Sequence, residues 1–263
     1  MDWINKLLGK RRELTPQQRA RLAGWRELPG EALTGKLDAS RLVVVDVETS
    51  GLNLARDRLI AIGAVAISNG RIDMSDSFEI VLQQTESSSH ENILIHGIGG
   101  SAQMNGVPPA EALLSFLDYL QKSPLVAFHV TFDETMIRRA FRQFLGFKFR
   151  HDWLDLAYVV PGLYPELSKR YRILDQWQAH FGIPNPARHN AAADALSTAQ
   201  LFMIAARQAR SKRIDSYQGL LHLEKAQRWV RWESRAGPAK LDSWLSGILA
   251  SQLMPKGRQQ ERA

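Results

Sequence analysis

Two carboxylates interrupt a stretch that otherwise reads as a buried strand, Leu42-Val43-Val44-Val45-Asp46-Val47-Glu48. Side chains in a strand alternate faces, so Asp46 and Glu48 project from the same side. Ionised carboxylates without partners are costly to bury, and solvent, basic side chains or a divalent cation must receive them. Thr49-Ser50-Gly51 then reads as a turn away from the strand. Further along, Phe132-Asp133 follows an apolar run and stands immediately before a predicted helix, a corner that commonly carries reacting groups in open α/β sheets. Arg188-His189-Asn190-Ala191-Ala192-Ala193-Asp194 opens another helix. With Asn190 as N-cap, Asp194 falls in the first full turn, where the helix dipole favours its charge, and His189 lies outside on the loop. Four carboxylates and one imidazole at element ends call for about two divalent cations between them. The chain has no Cys, so hard oxygen donors point to Mg²⁺ or Mn²⁺.

The elements that position these groups follow from periodicity. Leu42 to Val47 and Leu59 to Ile67 read as strands, and Ser68-Asn69-Gly70 turns into a third near Ser77 to Leu82. The short connections predict an antiparallel meander. Pro108-Pro109 opens an amphipathic helix, and Leu125 to Phe128 forms a further buried strand. A helix carrying Met136, Ile137, Ala140 and Phe141 follows it. Trp153 to Ala157 is expected to begin a helical stretch ending near Pro161-Gly162. Ile173 to Phe181 and Ala191 to Arg210 complete the helices around a loop at Gly182 to Pro186. The order predicts an α/β fold, a mixed sheet with helices on both faces.

Two flanks differ from this centre in charge. The net +7 divides into +3 over residues 1–40, +7 over 205–263 and −3 between them. Basic flanks suit a polyanion such as nucleic acid, or they solubilise surface helices. The division expected is a helical extension at 1–40, a central domain at 41–210 and a basic helical extension at 211–263 with a disordered tail from Pro255. The N-terminal extension combines a stripe at Trp3, Ile4, Leu7 and Leu8 with a helix that Thr15-Pro16 starts, and docking on its own domain is its expected role. No apolar run approaches a membrane span and no signal-peptide pattern is present, so the expected location is cytoplasmic.

Asp46-x-Glu48-Thr49, then Phe132-Asp133, then His189-x-x-x-x-Asp194 resembles the three motifs of the DEDDh 3′-5′ exonucleases, the type that includes proofreading subunits of bacterial replicative polymerases. Ile95-His96-Gly97-Ile98, Pro108-Pro109 and Asp155-Leu156-Ala157 agree with it, and the resemblance covers roughly residues 41–206. Where the family often has His-Asn before Phe-Asp, this chain has Phe128-His129. The resemblance implies a ribonuclease-H-like fold and two-metal hydrolysis at the 3′ end of a single strand, DNA favoured over RNA. It implies one Mg²⁺ or Mn²⁺ held by Asp46, Glu48 and Asp194 for the attacking water. A second, held by Asp46 with Asp133, serves the leaving 3′ oxygen. His189 is implied as general base, and Thr49, Gly51, Leu52, His96, Ile98 and Phe132 as the surround of the terminal nucleotide.

The C-terminal segment supports other roles besides. Leu220, Leu221, Leu223, Trp229, Val230 and Trp232, then Leu241, Trp244, Leu245, Ile248 and Leu249, would pack on the catalytic domain or dock a protein partner. Trp229 and Trp232 with Arg228, Arg231 and Arg235 could also meet bases and phosphates. Ser211 to Asp215 is the expected hinge.

Overall fold

The computed structural model describes residues 13–31, 33–185 and 188–236, with side chains through Val230. The stripe at Trp3 to Leu8, the side chain of Trp232 and everything from Gly237 on, including the Leu241 to Leu249 set, lie outside the described residues. Two compact units divide the chain, one ending at Glu224 and one beginning at Lys225.

Five strands form a single sheet of order β3-β2-β1-β4-β5. They are β1 (Leu42–Thr49), β2 (Leu59–Ser68), β3 (Arg71–Val81), β4 (Leu125–Ala127) and β5 (Trp153–Asp155). The first three make the antiparallel meander predicted from the short turns, and β4 and β5 run parallel to β1 and to each other. Asn69 and Gly70 both have positive φ, 52° and 67°, the two-residue hairpin that Asn-Gly favours.

Alternation along β1 sorts its side chains into two cores. Val43, Val45 and Val47 join a cluster with Leu113, Phe116, Leu117 and Ile137, whereas Leu42 and Val44 join another with Leu154, Val159 and Phe202. Asp46 and Glu48 share the parity of Leu42 and Val44, so they continue that second face to the strand's C-terminal end.

Helices cover both faces. On the first lie α1 (Pro16–Glu27), α4 (Pro109–Leu120) and α5 (Val130–Ala140), preceded in the chain by the short α2 (His90–His96) and α3 (Gly100–Met104). On the second lie α6 (Leu156–Leu163), α7 (Leu174–Phe181) and α8 (Ala191–Ser211), with the start of α9 (Tyr217–Ala236). Helix α1 docks on its own domain, as expected. Thr15 and Gln18 form a reciprocal capping box, Leu22 and Trp25 are buried, and Trp25 Nε1 donates to the Gln121 carbonyl at 2.6 Å. Tyr217 and Leu220 are buried in the second core, so the first turn of α9 belongs to the unit that carries the sheet. No helix among the described residues is long and apolar enough to cross a membrane.

Three expectations need correction. Trp153 to Asp155 is a strand, not the beginning of a helix, and α6 starts only at Leu156 with Asp155 as its cap. Three residues are too few to display a period, and pairing with β4 decides the matter. Phe132 and Asp133 lie inside α5, not before it, because His129 adopts a left-handed backbone (φ 68°, ψ 50°) and starts the helix at Val130. Its N–H donates to Asp155 Oδ1 at 3.0 Å, which holds that turn. Finally, β3 begins at Arg71, well before Ser77, as a sheet edge whose exposed residues are polar apart from Met74.

Candidate active site

A cavity of about 480 Å³ opens at the C-terminal end of β1. Asp46, Glu48, Asp133, Asp194 and His189 all line it, brought there by β1, the first turn of α5, the first turn of α8 and, for His189, the residue just before that helix's cap. One carboxylate oxygen from each of Asp46, Glu48 and Asp194 lies within 4.8 Å of the others.

Helix α8 reaches Asp46 because of a glycine. Gly63 is the cross-strand partner of Asp46 and therefore shares its face. A Cβ placed on Gly63 would lie 2.1 Å from the Ala191 carbonyl carbon and 2.2 Å from Ala192 N. The backbone of the first helical turn thus rests directly on the sheet beside Asp46. Asn190 caps that turn, its side chain accepting from Ala193 N at 2.9 Å and donating to Glu79 at 3.0 Å.

Asp194 is oriented on both oxygens. Its Oδ2 accepts from the backbone N–H of His189 at 2.8 Å, and its Oδ1 accepts from the Asn185 amide. Asn185 also donates to Ser197 Oγ at 3.3 Å, and Gln178 donates to the same oxygen at 2.9 Å. His189 itself has φ 61°, so its ring is carried by a loop residue anchored through the backbone and not by the helix.

Crowding and burial oppose ionisation here. Burial, then Asp133, Asp194 and Glu48 in turn, raise Asp46 well above the usual carboxylate range, with Arg188 pulling the other way. Burial and the charges of Asp194 and Asp133 push Glu48 up to about 8. Burial pushes Asp133 to about 8 also, against the backbone N–H groups of Asp133 and Val47. Hard oxygens in this number, whose charges burial penalises and whose ligating atoms lie so close, fit a divalent cation.

This arrangement sets a sign for stability against pH. Between about pH 4 and pH 8 the folded, metal-free protein keeps protons on Glu48 and Asp133 that the unfolded chain has lost. These groups therefore make stability fall as pH rises through that window. The melting temperature in EDTA is expected to decline across it relative to a Glu48→Gln variant. The rise in Tm given by excess Mn²⁺ is expected to grow over the same range, because the cation competes with fewer protons. A Mn²⁺ effect that shrinks as pH rises would contradict this picture.

Of the residues expected around a substrate, Thr49, Gly51, Leu52, His96 and Phe132 line the cavity. Leu52 stands 86% exposed on the 50–58 loop. Asp57 ties that loop by accepting from Ser50 Oγ at 3.0 Å and Asn53 N at 2.7 Å, and Arg139 clamps the Asp57 and Ala55 carbonyls at 2.9 and 3.0 Å. His96 is buried with both ring nitrogens engaged. Ile98 N–H donates to Nδ1 at 3.0 Å, which leaves Nε2 as the protonated nitrogen facing Ser88 Oγ at 3.1 Å. Burial lowers its pKa, so it is a neutral wall. Ile98 does not line the cavity. Helix α2 stops at His96 and Gly97 turns left-handed (φ 69°), so Asn92 and Ile95, one turn apart, face the space instead. Sequence reasoning also missed Asn185, Asp175 and Arg188. Nothing in their local pattern marks them, although the Ala-rich start of α8 does signal close packing.

The comparisons agree with this architecture. A family model described as Exonuclease matches residues 43–202. The chain is 30% identical over 161 residues to a DNA polymerase III PolC-type of Thermotoga petrophila, covering 61% of this chain and 11% of that protein. It is 32% identical over 174 residues to the PolC-type protein of Caldanaerobacter subterraneus subsp. tengcongensis, covering 65% and 12%. Against a DNA polymerase III subunit epsilon-like protein of Rhodobacter capsulatus the identity is 30% over 173 residues, covering 64% and 24%. The chain thus matches only a small part of these relatives' length. Among solved structures, E. coli exonuclease I with a dT13 oligonucleotide aligns at TM-score 0.56 and 18% identity, over 65% of this chain and 42% of that one. Exonuclease X in complex with 5′ overhanging duplex DNA aligns at 0.53 and 16%, over 70% and 99%. At these identities the solved structures bear on the fold alone.

Proposed function

The chain belongs to the exonuclease family, and on that premise we propose that it hydrolyses phosphodiester bonds stepwise from the 3′ end of single-stranded nucleic acid, DNA in preference to RNA, releasing nucleoside monophosphates. The observation that carries this reading is the cluster of Asp46, Glu48 and Asp194 with ligating oxygens within 4.8 Å, in one cavity with Asp133 and His189. The polymerase names of the relatives favour DNA as substrate. A matched RNA strand is expected to compete poorly with DNA for turnover, and equal competition would move the assignment to nucleic acid of either kind.

In this reading Asp46, Glu48 and Asp194 hold one Mg²⁺ or Mn²⁺, and Asp46 with Asp133 a second. Bound there, the cations offset phosphate charge and make water a stronger nucleophile near neutral pH. The remaining work belongs to the chain. Leu52 offers an exposed apolar surface to the terminal base, and Phe132 lines the same space. Thr49 Oγ1 donates to the Gly51 carbonyl at 2.7 Å and fixes the turn beneath them. His189, which lines the cavity and is tied to Asp194 through its backbone N–H, accepts the proton of the attacking water at a ring nitrogen.

That division of labour makes His189 separable from the metal ligands. His189→Ala is expected to slow turnover about 10²-fold while leaving Mn²⁺ affinity nearly unchanged, because its backbone N–H survives the substitution. Isothermal titration with Mn²⁺ beside single-turnover kinetics reads both quantities. A parallel loss of metal binding would make His189 a ligand and not a base.

Docking of a protein partner is a second reading for the unit that begins at Lys225, where Trp229 and Val230 are 44% and 54% exposed. Because Tyr217 and Leu220 belong to the core, its test is removal of residues 225–263, not a cut at the expected hinge. Loss of a stoichiometric co-purifying protein on that removal supports it, and its retention refutes it.

A further inference from the structure

The proposed reaction leaves one charged pair in the cavity unused. Arg188, the residue before His189, ion-pairs with Asp175 in the first turn of α7, and both side chains line the same cavity as the carboxylates. Among the described residues, five carboxylates, Asp46, Glu48, Asp133, Asp175 and Asp194, face this space, and Arg188 is the one Lys or Arg side chain that lines it. A single strand threading toward Asp46 brings a phosphate monoanion on every nucleotide into that field. We infer that Arg188 binds a backbone phosphate of the substrate strand, and that Asp175 holds the guanidinium in reserve until the strand arrives.

The inference rests on the exonuclease reading of the site and deepens it. The Arg188 and Asp175 side chains are 42% and 45% exposed, so their pairing is screened by solvent and cheap to exchange. A phosphate offers the guanidinium the same two-oxygen geometry as a carboxylate, in a space the strand itself desolvates. Asp175 tolerates the loss of its partner because it sits at the N-terminal end of α7, where the helix dipole favours a carboxylate. Arg188 also stands close enough to act electrostatically on Asp46. Its charge therefore reaches the reacting end of the cavity and not only the rim.

The alternative is that the ion pair merely anchors Arg188 and the start of α8 to α7. The two roles predict opposite behaviour from the two partners. If Arg188 binds phosphate, Arg188→Ala is expected to raise KM for a single-stranded oligonucleotide about tenfold or more with a much smaller fall in kcat. The slope of log(kcat/KM) against log salt is expected to be shallower by about 0.7. Asp175→Asn, which frees the guanidinium, is expected to leave KM at or below the wild-type value. Anisotropy of a fluorescent oligonucleotide with a phosphorothioate 3′ end gives the same contrast in Kd without turnover. Equal increases in KM and Kd for the two variants, or no increase for Arg188→Ala, overturn the inference. Failure of the wild type to degrade any strand overturns the exonuclease reading instead, and the Kd contrast then still decides the role of Arg188.

Discussion

Asp46→Ala is expected to lower turnover about 10³-fold or more, the equivalent of about 4 kcal/mol of transition-state stabilisation. Asp46 is the carboxylate that both proposed cation positions share, and it lies on β1 between the two arms of the site. Its neighbours Asp133, Asp194 and Glu48 all penalise its charge, and burial penalises it more. Removing it should therefore relieve the metal-free fold even as it destroys the site. The expected pattern is a Tm in EDTA that is unchanged or higher than wild type, together with loss of the stabilisation given by Mn²⁺. Thermal unfolding with and without Mn²⁺, beside release of nucleotide from a labelled strand, reads all three. Turnover within about tenfold of wild type would sink the assignment of these carboxylates.

Gly63→Ala is the second large effect, and it touches no reacting group. The added carbon would sit 2.1 Å from the Ala191 carbonyl carbon, so the backbone of α8 must retreat from the sheet. Trimming a side chain cannot relieve the clash, because the obstacle is main chain. Overpacking of this kind costs about 1–3 kcal/mol of stability. The retreat also carries Asp194 away from Asp46 and Glu48, and a displacement of about 1 Å at a reacting centre costs about 10²-fold in rate. Gly63→Ala is thus expected to fold, melt lower and resemble Asp194→Ala in weakened Mn²⁺ affinity and reduced kcat. Circular dichroism, Mn²⁺ titration and single-turnover rates separate these effects. Wild-type Mn²⁺ affinity in a folded Gly63→Ala protein would show that α8 does not need this approach to place Asp194.

The acidic groups that meet in the cavity were legible from their local settings, two that break a strand's pattern and one that fits a helix start. Charges at positions 46 and 48 contradict a strand that is otherwise buried, and Asp194 follows an Asn cap in the helix the sequence announces. Their supports were not legible, because those depend on contacts between distant segments. Gly63 looks like one small residue in a β-strand until the pairing of β1 with β2 sets it opposite Asp46 and under Ala191. Asn185 and Asp175 acquire meaning only when the loop before α8 folds back against Asp194 and α7. The left-handed turn at His129, which moves Asp133 from a corner into a helix, needs Asp155 to hold it. Ile98 fell outside the cavity for a related reason, since the stop of α2 at His96 passes the wall position to Asn92 and Ile95.

Polarity of digestion tests the central claim most directly. One single-stranded DNA is labelled at its 3′ end and a second copy at its 5′ end, and both are incubated with the chain and Mn²⁺. The account predicts that the 3′ label appears as mononucleotide from the first turnover, whereas the 5′-labelled strand shortens through a ladder of successively smaller products. Release of the 5′ label as mononucleotide before the strand has shortened, or internal fragments from either strand before any terminal product, would contradict it.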